Sequence, residues 1–216
     1  MNLSFDEVLS TTKAVRQRLD LERPVSREVI LECCKLANYA PSSRNTQAWS
    51  FVFVDALEKR AQVAELYATV WDEHASPMYE NEISNAASSA QKVNAERMFK
   101  SSRYLRDHLA DVPVILFPVL EGRAETFVDA MWQSLKWGSA IPATWSFMLA
   151  ARSRGLGTCW TSLHLAVEKE MADVIGVDAE HFTQLAMIPV AYTLGTDFKK
   201  PPRRDVSEAL HWNQMG

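Results

Sequence analysis

Ala40-Pro41-Ser42-Ser43-Arg44-Asn45-Thr46-Gln47-Ala48-Trp49 carries the densest polar chemistry in the chain, and it sits between two apolar patterns. In a few residues it offers hydroxyls, the carboxamides of Asn45 and Gln47, and the Arg44 guanidinium. A carboxamide presents a donor and an acceptor side by side. Two of them suit a flat heterocycle bearing imide and carbonyl groups. Read without a ligand, the same residues describe a capped loop rich in turn formers.

Upstream, Ser26 is a good N-cap with Glu28 in the first turn, and Val29, Ile30, Cys33, Leu36, Ala37 and Ala40 are expected to form the buried stripe of a helix that Pro41 stops. Phe5, Val8, Leu9, Thr12, Val15 and Leu19 predict a helix over 5–19, broken at Pro24. Downstream, residues 50–54 (SFVFV) predict a buried strand and 57–75 a helix. Residues 76–90 lack periodicity and predict a mobile insertion, and 91–110 return to helical spacing. Residues 112–119 predict a strong strand, and its prolines at 113 and 118 suit an edge or a strand start. A long apolar helix over 138–154, capped by Gly155, precedes a strand at 157–162, a helix at 166–175 and a last strand at 183–192. The tail from Thr193 is polar and basic. Helices and strands mix without regular alternation, so the expected class is α+β. The expected organisation is one domain over 1–216 with a helical insertion at about 62–110.

Apolar residues make up 47% of the chain, enough for a core without staples. A net charge of −4 and the absence of a basic block argue against nucleic acid as a partner. No apolar run approaches the ~20 residues of a membrane helix, and the N-terminus does not read as a signal peptide. Cys33, Cys34 and Cys159 lack framework spacing, and the five histidines are scattered. The expected location is cytoplasmic, with no membrane partner and no metal. The third glycine of a dinucleotide fingerprint is missing after Gly155-Leu156-Gly157, and there is no P-loop and no GxSxG elbow.

Five blocks, in order from residue 11 to 212, resemble the FMN-dependent nitroreductase family. Ala40–Trp49 resembles its APSxxNxQPW signature, with Ala48 in place of the usual proline. Thr11-Thr12-Lys13-Ala14-Val15-Arg16 resembles the RRSxR element that grips the FMN phosphate and ribityl chain, with Thr12 replacing the first arginine and Ala14 the serine. Ser139-Ala140-Ile141-Pro142 and the residues after it resemble the family's central helix, whose start lies along the flavin ring. Gly155-Leu156-Gly157-Thr158-Cys159-Trp160 resembles the strand whose amides approach flavin N5 and O4. Pro202-Arg203-Arg204 and His211-Trp212 resemble the C-terminal tail that completes the phosphate site.

The resemblance implies a mixed, largely antiparallel sheet flanked by helices, in an interlocked homodimer with two interfacial sites. It implies FMN held by Thr12, Lys13, Ala14, Arg16, Pro41, Ser42, Ser43, Asn45, Gln47, Ile141, Pro142, Leu156, Gly157, Thr158, Trp160, Arg203 and Arg204. Arg16 is expected near N1 and O2, where a cation stabilises reduced flavin. The implied activity is electron transfer from NAD(P)H through the flavin to a small-molecule acceptor such as a nitroaromatic or quinone, with a ping-pong order. No side chain need act as acid or base. Other members of the family act as dehydrogenases, dehalogenases or flavin-destroying enzymes, and a non-catalytic FMN-sequestering protein is a further reading. Trp132, Trp137 and Trp145 either line a substrate pocket over the flavin or, the reading preferred here, form core or dimer interface; Tyr39 and Trp49 read as packing, and Cys159 as a small buried hydrophobe. Lys199 and Lys200 read as solvated charges, and Met78 and Tyr79 as a lid.

Overall fold

A computed structural model describes residues 2–215. The order is α1 (Phe5–Thr11), α2 (Arg27–Ala37), β1 (Trp49–Val54), α3 (Leu57–Val70), α4 (Ser76–Ser84), α5 (Ser89–His108), β2 (Val114–Glu121), α6 (Ala130–Ser153), β3 (Leu156–Thr158), α7 (Glu168–Ile175), β4 (Phe182–Gln184) and β5 (Ile188–Tyr192). The class is α+β. β2 pairs antiparallel with β1 on one side and with β4 and β5 on the other, and β5 carries β3 on its outer edge.

β2 organises the packing. Val114, Leu116 and Leu120 join a core with α2 and α6, while Ile115 and Phe117 join a second core with α3, α5 and α7. Alternate side chains of a strand point to opposite faces, so a strand apolar throughout is one covered on both faces. The strand is therefore central and not an edge, while Pro113, immediately before Val114, meets the other expectation of a strand start. The structure shows why Pro118 is tolerated there. Its carbonyl accepts from Leu185 N at 2.9 Å, and an extended residue directs N–H and C=O to the same side. On that side the neighbouring chain breaks between β4 and β5, so the missing N–H interrupts no ladder.

The other departures have local causes. The helix predicted over 5–19 ends at Thr11. Thr11 and Thr12 turn their hydroxyls back onto the carbonyls of Glu7 (2.6 Å) and Val8 (2.7 Å), and Thr12 is extended. The chain then runs beside β3, with Ala14 bridging Thr158 and Val15 N donating to Thr158 O at 2.9 Å. Val15 and Leu19 are buried as predicted, but from an irregular segment. Residues 76–90 are mostly helical: the π-helical turn Trp71–Ala75 hands over to α4, and Ser88 caps α5 by accepting from Gln91 N. The predicted last strand is two strands, β4 and β5, and α6 begins at Ala130, capped by Asp129. Tyr39 is 87% exposed, contrary to its packing assignment, whereas Trp49 and Cys159 are buried as expected. Among the described residues no helix is long and apolar enough to cross a membrane.

Candidate functional site

The loop after α2 is held in a strained shape. Arg44, Asn45 and Gln47 all have positive φ (53°, 54° and 48°). For residues with a Cβ this costs roughly 1–2 kcal/mol each, and such strain concentrates where a site needs a fixed geometry. Several hydrogen bonds hold it, and side chains take part in these. Ser43 N donates to Ser139 Oγ at 2.9 Å, Gln47 N to Ser42 Oγ at 3.2 Å, and Gln47 Nε2 to Asn45 Oδ1 at 3.1 Å. Ser139 in turn donates to Leu135 O at 2.6 Å. The carboxamide pair leaves Asn45 Nδ2 and Gln47 Oε1 without a partner among the described residues. Between this loop and α6 lies a cavity of about 380 Å³, whose walls include Ser43, Thr46, Trp132 and Leu135. Pro41 leads into the loop, and Ile141 and Pro142 lie on α6 just past Ser139. Ile141 is exposed.

A second cluster forms at the opposite end of α6. Lys13 Nζ donates to Lys199 O at 3.1 Å, across 186 residues of sequence. Ala14 is fixed to Thr158 by the parallel bridge. The backbone of β3 is committed to β5, and the Leu156 and Thr158 side chains are buried. Gly157 has a packing reason: a Cβ there would lie 2.7 Å from Thr193 Cγ2, 3.0 Å from Val15 Cγ1 and 3.1 Å from Leu19 Cδ2. Arg16 opens onto a cavity of about 280 Å³ shared with Tyr67, Met78, Tyr79, Trp160 and Thr161. Burial pushes the Tyr67 phenol up to about 12 and raises the Cys159 thiol well above its ordinary range, with the Arg16 guanidinium opposing both shifts. Among the described residues Arg203 hydrogen-bonds only the carbonyl of its own neighbour, Pro202, and the tail approaches the cluster through Lys199 instead.

The predicted residues thus fall into two groups. Thr12, Lys13, Ala14, Arg16, Leu156, Gly157, Thr158 and Trp160 lie together. Pro41, Ser42, Ser43, Asn45, Gln47, Ile141 and Pro142 form the other group. Arg203 and Arg204 are brought into contact with neither. Ser139 touches the loop and Arg152 touches Thr11, so α6 spans both groups. Thirteen residues of helix at about 1.5 Å each put them roughly 20 Å apart within one chain.

Sequence reasoning missed three residues beside the Lys13 cluster. Arg152 donates to Thr11 Oγ1 (3.2 and 3.1 Å) and to Thr196 O (3.1 Å). Phe198 stacks against it, and Tyr67 floors the Arg16 cavity. An arginine in the last turn of a helix reads as a solvated charge complementing the helix dipole. Only the fold shows that this one is buried.

A sequence model described as the Nitroreductase family matches residues 10–192. A 4-nitrobenzoate reductase of Pseudomonas putida is 29% identical over 163 residues, covering 72% of this chain and 70% of that protein. The crystal structure of oxidized iodotyrosine deiodinase bound to FMN and 3-iodo-L-tyrosine superposes with a TM-score of 0.72 at 21% identity, covering 98% of this chain and 100% of that one. The FMN and NADPH-dependent nitroreductase NfnB from sphigopyxis sp. strain HMH gives 0.69 at 18% identity, covering 99% and 100%.

Proposed function

The chain belongs to the nitroreductase family, and from that premise we propose that it is an FMN-dependent oxidoreductase that moves electrons from NAD(P)H to a small organic acceptor. The observation that carries this reading is the meeting of three distant segments at one place: Ala14 on Thr158, and Lys13 on Lys199. FMN fits what these residues offer. The Lys13 ammonium donates to a carbonyl, with no carboxylate partner among the described residues, and so remains available to a phosphate. A phosphomonoester carries roughly −1.5 to −2 charges near neutral pH. Asn45 Nδ2 and Gln47 Oε1 offer a free donor and a free acceptor to a pyrimidine edge. The relatives support the reading, since one is a nitroaromatic reductase and, of the structural neighbours, one was crystallised bound to FMN and another is an FMN and NADPH-dependent nitroreductase.

FMN, when bound, would supply the redox chemistry between reduced nicotinamide and the acceptor. This chain's residues hold and tune it. Lys13, with Thr12 and Ala14, faces the phosphate end. Arg16, which lines the cavity with Tyr67 and Trp160, would offer its guanidinium to the ring and stabilise negative charge there. Leu156, Gly157, Thr158 and Trp160 would back the ring, while Arg203 and Arg204, which touch neither cluster, take no part in this reading of a single chain. The loop residues Ser42, Ser43, Asn45 and Gln47, with Ile141 and Pro142, lie too far along α6 to join their own chain's Lys13 cluster around one flavin. They serve the site of a second copy. α6 supports this by leaving Met131, Leu135, Ile141 and Trp145 exposed along one stripe. An exposed apolar stripe of this kind marks an interaction surface, and its residues match the composition of interface cores.

Anaerobic addition of NADH or NADPH to the yellow protein tests the reading. Bleaching, followed by recovery of colour on adding a nitroaromatic or a quinone, is the expected result. A yellow protein that neither nicotinamide bleaches means sequestration or another donor, and overturns it.

A further inference from the structure

Arg152 is a buried cation without a counter-charge. It is 4% exposed, and its neighbours are a hydroxyl, a carbonyl and an aromatic ring. Nη1 has no hydrogen-bond partner among the described residues. No carboxylate among the described residues pairs with it; Asp197, which is close by, is taken by Arg18 at 2.6 Å on the exposed side. Instead the surroundings are positive. Lys13, Arg18 and Arg152 all lie on the Phe198 ring, at 5.4, 4.3 and 4.7 Å from its centroid. Lys199 and Lys200 follow directly in the chain. Burial and the neighbouring Arg18 both work against the charge, yet a guanidinium does not give up its proton in a protein. An ionised group taken out of water without a partner costs several kcal/mol. An anion bound nearby would offset that cost.

We propose that Arg152 is a positioning residue for the phosphate of FMN, supplying from within α6 the positive charge that the N-terminal element lacks at Thr12. This rests on the FMN reading above. Arg152 grips Thr11, the residue next to Thr12, and shares Phe198 with Lys13, so its charge stands directly behind the segment assigned to the phosphate. It acts through the field and not through contact, because its free nitrogen is covered by protein. Low-dielectric surroundings make a charge at that depth effective. The rival assignment is a strut that ties α6 to α1 and to residue 196.

The two differ in what they do to riboflavin, which has the ring but no phosphate. The full-length protein, stripped of flavin, is titrated with FMN and with riboflavin by flavin fluorescence. Arg152→Met is expected to weaken FMN at least tenfold while riboflavin binding stays as in wild type. The stripped variant should resist urea at least as well as stripped wild type, since an uncompensated charge has gone. Arg152→Lys keeps the charge and loses the forked grip on Thr11. It should keep most of the preference for FMN over riboflavin, and it serves as the test if Arg152→Met does not fold. Equal weakening of both flavins makes Arg152 a strut and overturns the proposal. So does unchanged FMN affinity with a smaller NADPH-over-NADH preference, which assigns the charge to a nicotinamide phosphate. Wild type that binds neither flavin fails the FMN reading itself, an outcome distinct from either.

Discussion

His164 offers a stability prediction that the structure makes quantitative. The imidazole is fully buried, stands edge-on to Phe117 at 5.6 Å, and neither ring nitrogen has a partner. Burial alone pushes it down from 6.5 to about 3. The unfolded chain therefore takes up a proton below pH 6.5 that the folded chain refuses until about pH 3. In that window the unfolded state binds more protons, so stability falls as pH falls, by up to about 1.4 kcal/mol per unit. Integrated from pH 7 to 5, the loss is about 2 kcal/mol. His164→Leu removes the titration and two unsatisfied polar atoms, each costing about 1–3 kcal/mol when buried. The variant should be the more stable protein at pH 7. Its advantage should grow by about 2 kcal/mol at pH 5. Urea unfolding of both proteins at one protein concentration, at pH 7, 6 and 5, reads this directly. A difference between the two that does not change with pH would refute the reasoning, because it would mean His164 titrates alike in both states or is paired.

Three further substitutions probe the site's construction. Gly157→Ala places a Cβ 2.7 Å from Thr193 Cγ2; overpacking of this kind costs about 1–3 kcal/mol, so its urea midpoint should fall, and an unchanged midpoint removes the packing account of this glycine. Ser139→Ala deletes the acceptor for Ser43 N, worth about 0.5–1.5 kcal/mol; FMN and riboflavin affinities should weaken together, unlike the phosphate-selective loss expected at Arg152, and limited proteolysis should find the 42–47 loop more open. Ile141→Glu puts a charge on the exposed stripe of α6; sedimentation should show a shift to single chains accompanied by loss of bound flavin, and a variant that keeps both its size and its flavin contradicts a site shared between copies.

Much of this architecture was legible in the sequence, and the failures have physical causes. β1 and the burial of β2 could be read because an apolar run of strand length has few places to go. Val15 and Leu19 misled because a spacing of four suits a helix and also an irregular segment whose side chains return to the same core. The termination at Thr11 depends on hydroxyls competing for helical carbonyls, which apolar periodicity does not register. Pro118 pointed to an edge because propensity knows nothing of a neighbouring strand that breaks opposite it, whereas Pro113 marked the strand start. At the site, Asn45 and Gln47 stood out by chemistry, but their positive φ values did not, since neither is glycine. Trp132 and Trp145, read as core or interface, are 46% and 39% exposed in the single chain, while Trp137 packs on Phe127 at 5.9 Å. Arg152 was invisible because an arginine at a helix end is ordinarily solvated.

Equilibrium titration of FMN into the flavin-stripped protein bears most directly on the claim that these separated segments enclose one phosphorylated flavin. The account predicts saturable quenching of flavin fluorescence at one FMN per chain, weakened by Arg16→Ala and by Asn45→Ala without loss of cooperative unfolding. A chain that folds, assembles and takes up no FMN would contradict it.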